Sequence, residues 1–191
     1  MFRLLLIYLG IQNFYNYFPQ LMRFEGSSYY YSDKNPTMIE CSKFGVLSQT
    51  YFYYAQKKGI NADFDKDKKT TCNDIKLMTL GKAQPFYKDM FWDVDKASLI
   101  KNPKTAKAIF DLTVNMGFGR NGRHVKNIQQ IVGAKQTGIF DLATINKINS
   151  DSNSLKKITQ YRIHFYNTLA VQPYYKQFLN GWTKRANYFL K

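Results

Sequence analysis

The sequence predicts a mainly α-helical fold with a small irregular β-hairpin. Three observations lead there. Apolar residues recur at helical spacing along most of the chain, capping residues and glycines punctuate the second half, and one polar, tyrosine-rich segment near the start interrupts the helical pattern. At 191 residues and 45% hydrophobic, the chain is long and apolar enough to bury a real core. With 15 Tyr and 15 Phe, most aromatic residues belong in that core, and the remainder are available to line a groove.

The elements follow in order. Met1-Phe2-Arg3-Leu4-Leu5-Leu6-Ile7-Tyr8-Leu9 has the look of a secretory signal, but Gln12-Asn13-Phe14-Tyr15 offers no small-residue cleavage site. The stretch is too short to span a membrane, so it reads as the start of a first buried helix with Phe14, Tyr17, Phe18, Leu21 and Met22 on its apolar side. A turn-forming segment follows, Gly26-Ser27-Ser28-Tyr29-Tyr30-Tyr31-Ser32-Asp33. Residues 46–55 fit a strand or a short buried helix ending at Gly59, and residues 61–74 are loop-like. Thr71-Cys72-Asn73-Asp74 caps a helix carrying Ile75, Leu77, Met78 and Leu80, and Gln84-Pro85 opens another. Asn102-Pro103 starts a helix closed by Gly117 and Gly119. Val125, Ile128 and Val132 mark the next helix, ended by Gly133, and Asp141 caps one with Leu142, Ile145 and Ile148. A long stripe runs from Leu155 to Leu169, and a last helix carries Tyr175, Phe178, Trp182 and Phe189. There is no internal repeat or linker. The expected organisation is residues 1–100 as one region, with residues 101–191 as a helical region packed on it.

Candidate chemistry starts at Glu25. It lies eleven residues after Phe14 and therefore on nearly the same helix face, at the helix end. A carboxyl so placed is partly desolvated, and desolvation favours the protonated form that a general acid needs; a Glu that merely caps the helix is the alternative. Asp33 follows across the turn-forming segment, and Glu40 seven residues later. Two carboxyl groups are what glycoside hydrolysis requires, one giving a proton to the leaving oxygen and one activating water or stabilising the cationic sugar.

Charge and cysteines narrow the partner. Lys+Arg 28 against Asp+Glu 13 gives a net +15, which attracts polyanions (nucleic acid, an anionic membrane, or a bacterial wall) and argues against a strongly cationic substrate. Cys41 and Cys72 permit one disulfide or none, and with His124 and His164 far from both, no zinc site is expected. Asp63, Asp65, Asp67 and Asp74 imitate a calcium loop, yet Lys68 stands where that loop needs a sharp-turning Gly, so a solvated loop is expected. Gly117-Phe118-Gly119-Arg120-Asn121-Gly122-Arg123 reads as a helix-to-helix turn with exposed arginines, and both histidines as structural.

Arg23-Phe24-Glu25-Gly26 followed by Ser42-Lys43-Phe44-Gly45-Val46 resembles the glycoside hydrolase family 108 lysozymes of phages and bacteria. The resemblance continues through Tyr87, Phe91-Trp92, Asp111–Gly117, Gln129 or Gln130, Thr137–Thr144, Arg162–Tyr166 and Phe178–Arg185, covering the chain from about residue 14 onward. It implies a lysozyme-like fold in which residues 1–100 are catalytic and residues 101–191 form a peptidoglycan-binding-like helical region that completes the cleft. It also implies an N-acetylmuramidase that cleaves the β-1,4 bond between N-acetylmuramic acid and N-acetylglucosamine. Glu25 then matches the catalytic Glu, Asp33 falls near the family's hairpin acid, and Ser42 takes the place of a Thr, while Tyr29, Tyr30 and Asn115 are expected to contact substrate. The second Gly of the family motif is Ser27 here, and its Asp-Pro-Gly-Gly has become Asn35-Pro36. Arg162, Trp182 and Arg185 are expected to brace the C-terminal region. No metal or organic cofactor is implied. The expected partner is the peptidoglycan glycan strand, with no nucleic acid and no stable membrane insertion, acting as a monomer in the periplasm or cell wall. A catalytically inactive wall-binding module and a basic nucleic-acid-binding helical protein are the alternatives.

Overall fold

The computed structural model describes residues 2–33 and 40–191, with side chains from Tyr8 onward; Asn35-Pro36 lies outside the described residues. The chain condenses into two compact units, one of residues 18–90 and one of residues 1–17 with 91–191. The first helix, α1 (Phe2–Glu25), supplies residues to both. Residues 91–100 thus belong with the helices that follow them.

The 18–90 unit holds the end of α1, a three-stranded antiparallel sheet and three helices. Strands β1 (Tyr30–Ser32), β2 (Glu40–Lys43) and β3 (Val46–Leu47) lie in that order. The β2–β3 turn is made by Phe44 and Gly45, whose φ angles of 53° and 74° have the signs of a two-residue type I′ hairpin turn. The stretch that fitted either strand or helix is both: β3 passes directly into α2 (Ser48–Lys58). Gly59, at φ 66°, ends that helix, since only a residue without Cβ takes that conformation freely. α3 (Cys72–Leu77) opens on a complete capping box, with the Thr71 side chain accepting from the Asn73 N–H and Asp74 accepting from the Thr71 N–H at 2.7 Å. α4 (Leu80–Tyr87) starts at Leu80, before the expected Gln84-Pro85, and keeps Pro85 inside. A π-helical turn over Lys88–Trp92 follows it. Pro85 sits in the interior of α4 and has no N–H to return to the Gly81 carbonyl, so one rung of the ladder is missing within a helix already begun. The core is aromatic: Tyr51, Tyr54, Phe86, Tyr87 and Phe18 are buried and meet ring to ring at 5.3–6.0 Å. Each such pair adds roughly 0.5–1.5 kcal/mol beyond its buried area.

The other unit is helical. α5 (Pro103–Met116) begins as the sequence predicts, with the Asn102 side chain accepting from the Lys104 and Thr105 N–H groups and Pro103 at the first position. Gly117 caps its end. α6 (Arg123–Ile131), α7 (Leu142–Ser150) and α8 (Ser154–Leu169) follow. Buried Gln129 holds the loop between α6 and α7, its amide donating to the Ile139 carbonyl and to Thr144 and its oxygen accepting from the Gly138 N–H. The single last helix expected from the sequence is broken into α9 (Pro173–Lys176), α10 (Leu179–Asn187) and a 3₁₀ turn, Tyr188–Leu190. The break comes where the Phe178 N–H bonds three residues back to Tyr175, tightening the chain so that Phe178 stacks on Trp182.

At the centre of this unit Asp111 is fully buried between two guanidinium groups. Arg185 reaches both carboxylate oxygens at 2.9 Å, Arg162 approaches Oδ2 at 2.8 Å, and the Tyr17 hydroxyl donates to Oδ1 at 2.8 Å. Burial alone would push the Asp111 pKa up, but the two arginines and these hydrogen bonds outweigh it and hold the carboxyl below the ordinary value of 3.8. Its stabilising contribution is therefore complete above that value and is lost as the pH falls through the lower folded one. Asp111→Asn leaves two buried cations uncompensated. Urea unfolding at pH 7 is expected to show a loss of about 3–5 kcal/mol; a loss below about 1 kcal/mol would contradict this account of the core.

Candidate active site

Glu25 is the last residue of α1. Phe18 and Leu21, on the same side of the helix, are 1% and 0% exposed and fix the helix rotation, so that Glu25 is carried half-buried to the edge of the core. Gly26, at φ 80°, turns the chain away, its N–H returning to the Met22 carbonyl at 2.9 Å.

The Glu25 side chain lies against the β2–β3 turn. A Cβ on Gly45 would stand 2.7 Å from Glu25 Oε2 and 3.0 Å from Glu25 Cβ, closer than side chains tolerate. It would also stand 2.7 Å from the Tyr87 hydroxyl. The glycine is thus required twice, for its left-handed backbone and for the space that admits the carboxyl group. Tyr87 fixes the same turn by donating to the Phe44 carbonyl at 2.7 Å. Carboxyl and hydroxyl flank one backbone position, no further apart than twice their distance from it. Sequence reasoning places Tyr87 on a helix and within the resemblance, but not at the turn; the bond joins residues 43 apart, which no local periodicity reports.

The sheet has two different faces. Register places Tyr30 opposite Ser42 and Ser42 opposite Leu47, so these three form one row across the sheet, with Ser32 and Glu40 in the next row on the same face. Tyr30 and Leu47 are 55% and 52% exposed. The alternate residues face α3: Cys41 is bonded to Cys72, Lys43 donates to the Lys76 carbonyl, and Val46 is buried. Tyr29 belongs to this second side, its hydroxyl donating to the Cys72 carbonyl at 3.3 Å.

Of the residues predicted for the site, Glu25, Asp33, Ser42, Tyr29 and Tyr30 all lie in the 18–90 unit. Ser42 and Tyr30 share the open face, Glu40 stands beside them, Asp33 is exposed just beyond β1, and Tyr29 is turned toward the disulfide. Asn115 lies in the other unit, where its side-chain oxygen accepts from Tyr166, which in turn accepts from Arg162 at 2.6 Å. That chain leads to Asp111.

Carboxylate oxygens of Asp63, Asp65 and Asp67 lie within 4.8 Å of one another. Each accepts from loop N–H groups: Asp63 from Asp67 and Lys68, Asp65 from Asp67, and Asp67 from Lys69. Lys68 takes the left-handed turn, at φ 68°, that a glycine would take at lower cost. The acids therefore fold their own loop. His124 is buried with Nδ1 2.6 Å from the Tyr161 hydroxyl, and burial, followed by the nearby Arg123 charge, pushes its pKa down; His164 is exposed. Arg120 and Arg123 are exposed on the turn between α5 and α6.

With this geometry in view, the likenesses to known proteins fall into place. No curated protein matches the chain. Among solved structures, SagA of Brucella abortus is similar over 92% of this chain and 90% of its own, with a TM-score of 0.67 at 20% identity, a likeness of fold. The fold class is as expected: mainly helical and lysozyme-like, with a small antiparallel sheet. The family model described as glycosyl hydrolase 108 matches residues 19–117, a span that holds Glu25, the sheet and the Phe44-Gly45 turn. Because that match takes in more than half of the chain, the protein belongs to the glycosyl hydrolase 108 family and stands among the glycoside hydrolases.

Proposed function

We propose that the protein is an N-acetylmuramidase that cleaves the β-1,4 bond between N-acetylmuramic acid and N-acetylglucosamine in peptidoglycan, with Glu25 as general acid. The observation that supports this reading is the seat of the Glu25 carboxyl, carried to the edge of a buried aromatic core and lodged where the β2–β3 turn has no side chain. A carboxyl so fixed in place is positioned to meet the glycosidic oxygen, and position comes first for a general acid. The open face of the sheet supplies a surface for the sugar, with Tyr30 as a stacking face and Ser42 as a hydroxyl for a sugar or a water. The second carboxylate is Asp33, with Glu40 as the other acid within the hairpin, and its task is to activate or position water as positive charge develops on the sugar.

The net charge of +15 draws the protein to a polyanionic wall and concentrates it there, and the chemistry needs no metal or organic cofactor. Among the described residues no helix is long and apolar enough to cross a membrane. The reading places the protein as a monomer acting in the periplasm or cell wall.

A digest of purified Gram-negative peptidoglycan, followed by mass spectrometry of the products, tests the reading. Wild type is expected to release disaccharide-peptides with a reducing N-acetylmuramic acid end, and Glu25→Gln to lose more than ~100-fold in rate while unfolding like wild type. Near-normal turnover in the variant would remove Glu25 from the chemistry. A wild type that sediments with the wall and releases nothing would make the protein a binding module. Gly45→Ala probes the same seat: a Cβ there must displace the carboxyl, so activity is expected to fall at least ~10-fold with cooperative unfolding retained. Full activity in Gly45→Ala would show that the close approach does not matter.

A further inference from the structure

A second recess in the 18–90 unit lies on the disulfide side of the sheet, away from the open face. It has a volume of about 540 Å³, within the usual range for ligand sites, and Cys72 forms part of its wall. Tyr31 and Phe52 give it aromatic faces, and Gln49 and Asn73 offer amides; Asp67 and Lys69 bring opposite charges to the same recess. Glu25, Gly45 and Tyr87 take no part in its lining. Ser48 and Gln49, also in the wall, are the first two residues of α2, whose N-cap position is Leu47. Leucine has no side-chain acceptor, so the first N–H groups of this eleven-residue helix receive no side-chain cap, and the residues that carry them form part of the wall.

We propose that this groove binds the peptide stems of peptidoglycan, recognising a short peptide that carries both a free carboxylate and a free amine. The inference rests on the muramidase reading given above. Its chemical ground is charge. In the intact polymer the carboxyl group of muramic acid is consumed in the amide bond to the peptide, so the glycan is neutral and the charges sit on the stem. Sugar hydroxyls can hydrogen-bond an Asp or a Lys but cannot pair their charges, whereas a peptide with a diamino acid can place its amine on Asp67 and its carboxylate on Lys69. Tyr31 and Phe52 then cover the aliphatic part of the stem. β1 is an edge strand, so the stem of a sugar on the Tyr30–Ser42 face has a route around that edge toward the groove, and a four-residue peptide extends to roughly 13 Å. The groove would make the enzyme prefer glycan that still bears its peptides.

Two measurements on the full chain test this. The first titrates the free tripeptide L-Ala-γ-D-Glu-diaminopimelate into ¹⁵N-labelled protein, with an N-acetylglucosamine oligomer as the comparison ligand. The tripeptide is expected to shift the amides of Gln49, Lys69 and Asn73 and leave those of Gly26 and Gly45 in place. No shift at these residues, or shifts there from the sugar oligomer alone, overturns the proposal. The second compares kcat/KM on intact peptidoglycan and on glycan stripped of its peptides by an amidase. Wild type is expected to favour the intact polymer by on the order of tenfold, the effect of one charge-assisted hydrogen bond, and Lys69→Gln and Asp67→Asn to narrow that ratio toward one. Equal rates on the two polymers in wild type, or an unchanged ratio in both variants, overturn it. If neither polymer is cut, the muramidase reading falls, and the titration alone decides the groove.

Discussion

The close approach of the Glu25 carboxyl to the backbone of Gly45 is the constraint on which the rest of the site depends. It asks three things of the chain at once. α1 must be rotated so that Glu25 leaves the core at its edge, which the burial of Phe18 and Leu21 secures. The turn must carry no side chain and must tolerate positive φ, which selects glycine. The turn must also be held in place, which Tyr87 does from α4 through the Phe44 carbonyl. Loosening any one of these shifts the Glu25 carboxyl, and in the proposed role of general acid it would be sensitive to displacements of about an ångström.

The sheet is too small to be stable by its own pairing, with strands of two to four residues. Its anchorage is on one face. The Cys41–Cys72 disulfide, the Lys43 bond to Lys76 and the buried Val46 fasten that face to α3. Closing a loop across a separation of 31 residues is worth about 3–4 kcal/mol in the chain-entropy picture, a large share of what a small unit has to spare. With these fastenings on one side, Tyr30 and Leu47 in the row on the other are open to solvent. The other unit follows a different plan, in which a carboxylate shared by Arg162 and Arg185 organises a helical core. The bracing expected of those two arginines is what their contacts describe.

Much of the fold was legible because helix ends are written locally. Asn102-Pro103, Thr71 with Asp74, and Asp141 each act within three residues of themselves, and each cap is where the sequence puts it. Glu25 was legible as a residue on the apolar face at a helix end, a relation of spacing alone. What escaped was set by partners far along the chain. The 46–55 stretch could not be divided into strand and helix without the β2 pairing of Leu47. The early start of α4 ran against the usual meaning of Pro85. Nothing in the order of three tyrosines says that Tyr29 turns to the disulfide and Tyr30 to solvent, since strand register decides it. The bond of Tyr87 to the Phe44 carbonyl has no local signature.

The most direct test of the account is a crystal structure of Glu25→Gln bound to a glycan fragment of alternating N-acetylglucosamine and N-acetylmuramic acid. The account predicts that the residue 25 amide lies within hydrogen-bond distance of a glycosidic oxygen, with the flanking sugars on the face that carries Tyr30 and Ser42. A glycan bound elsewhere, with no sugar oxygen near residue 25, would contradict it.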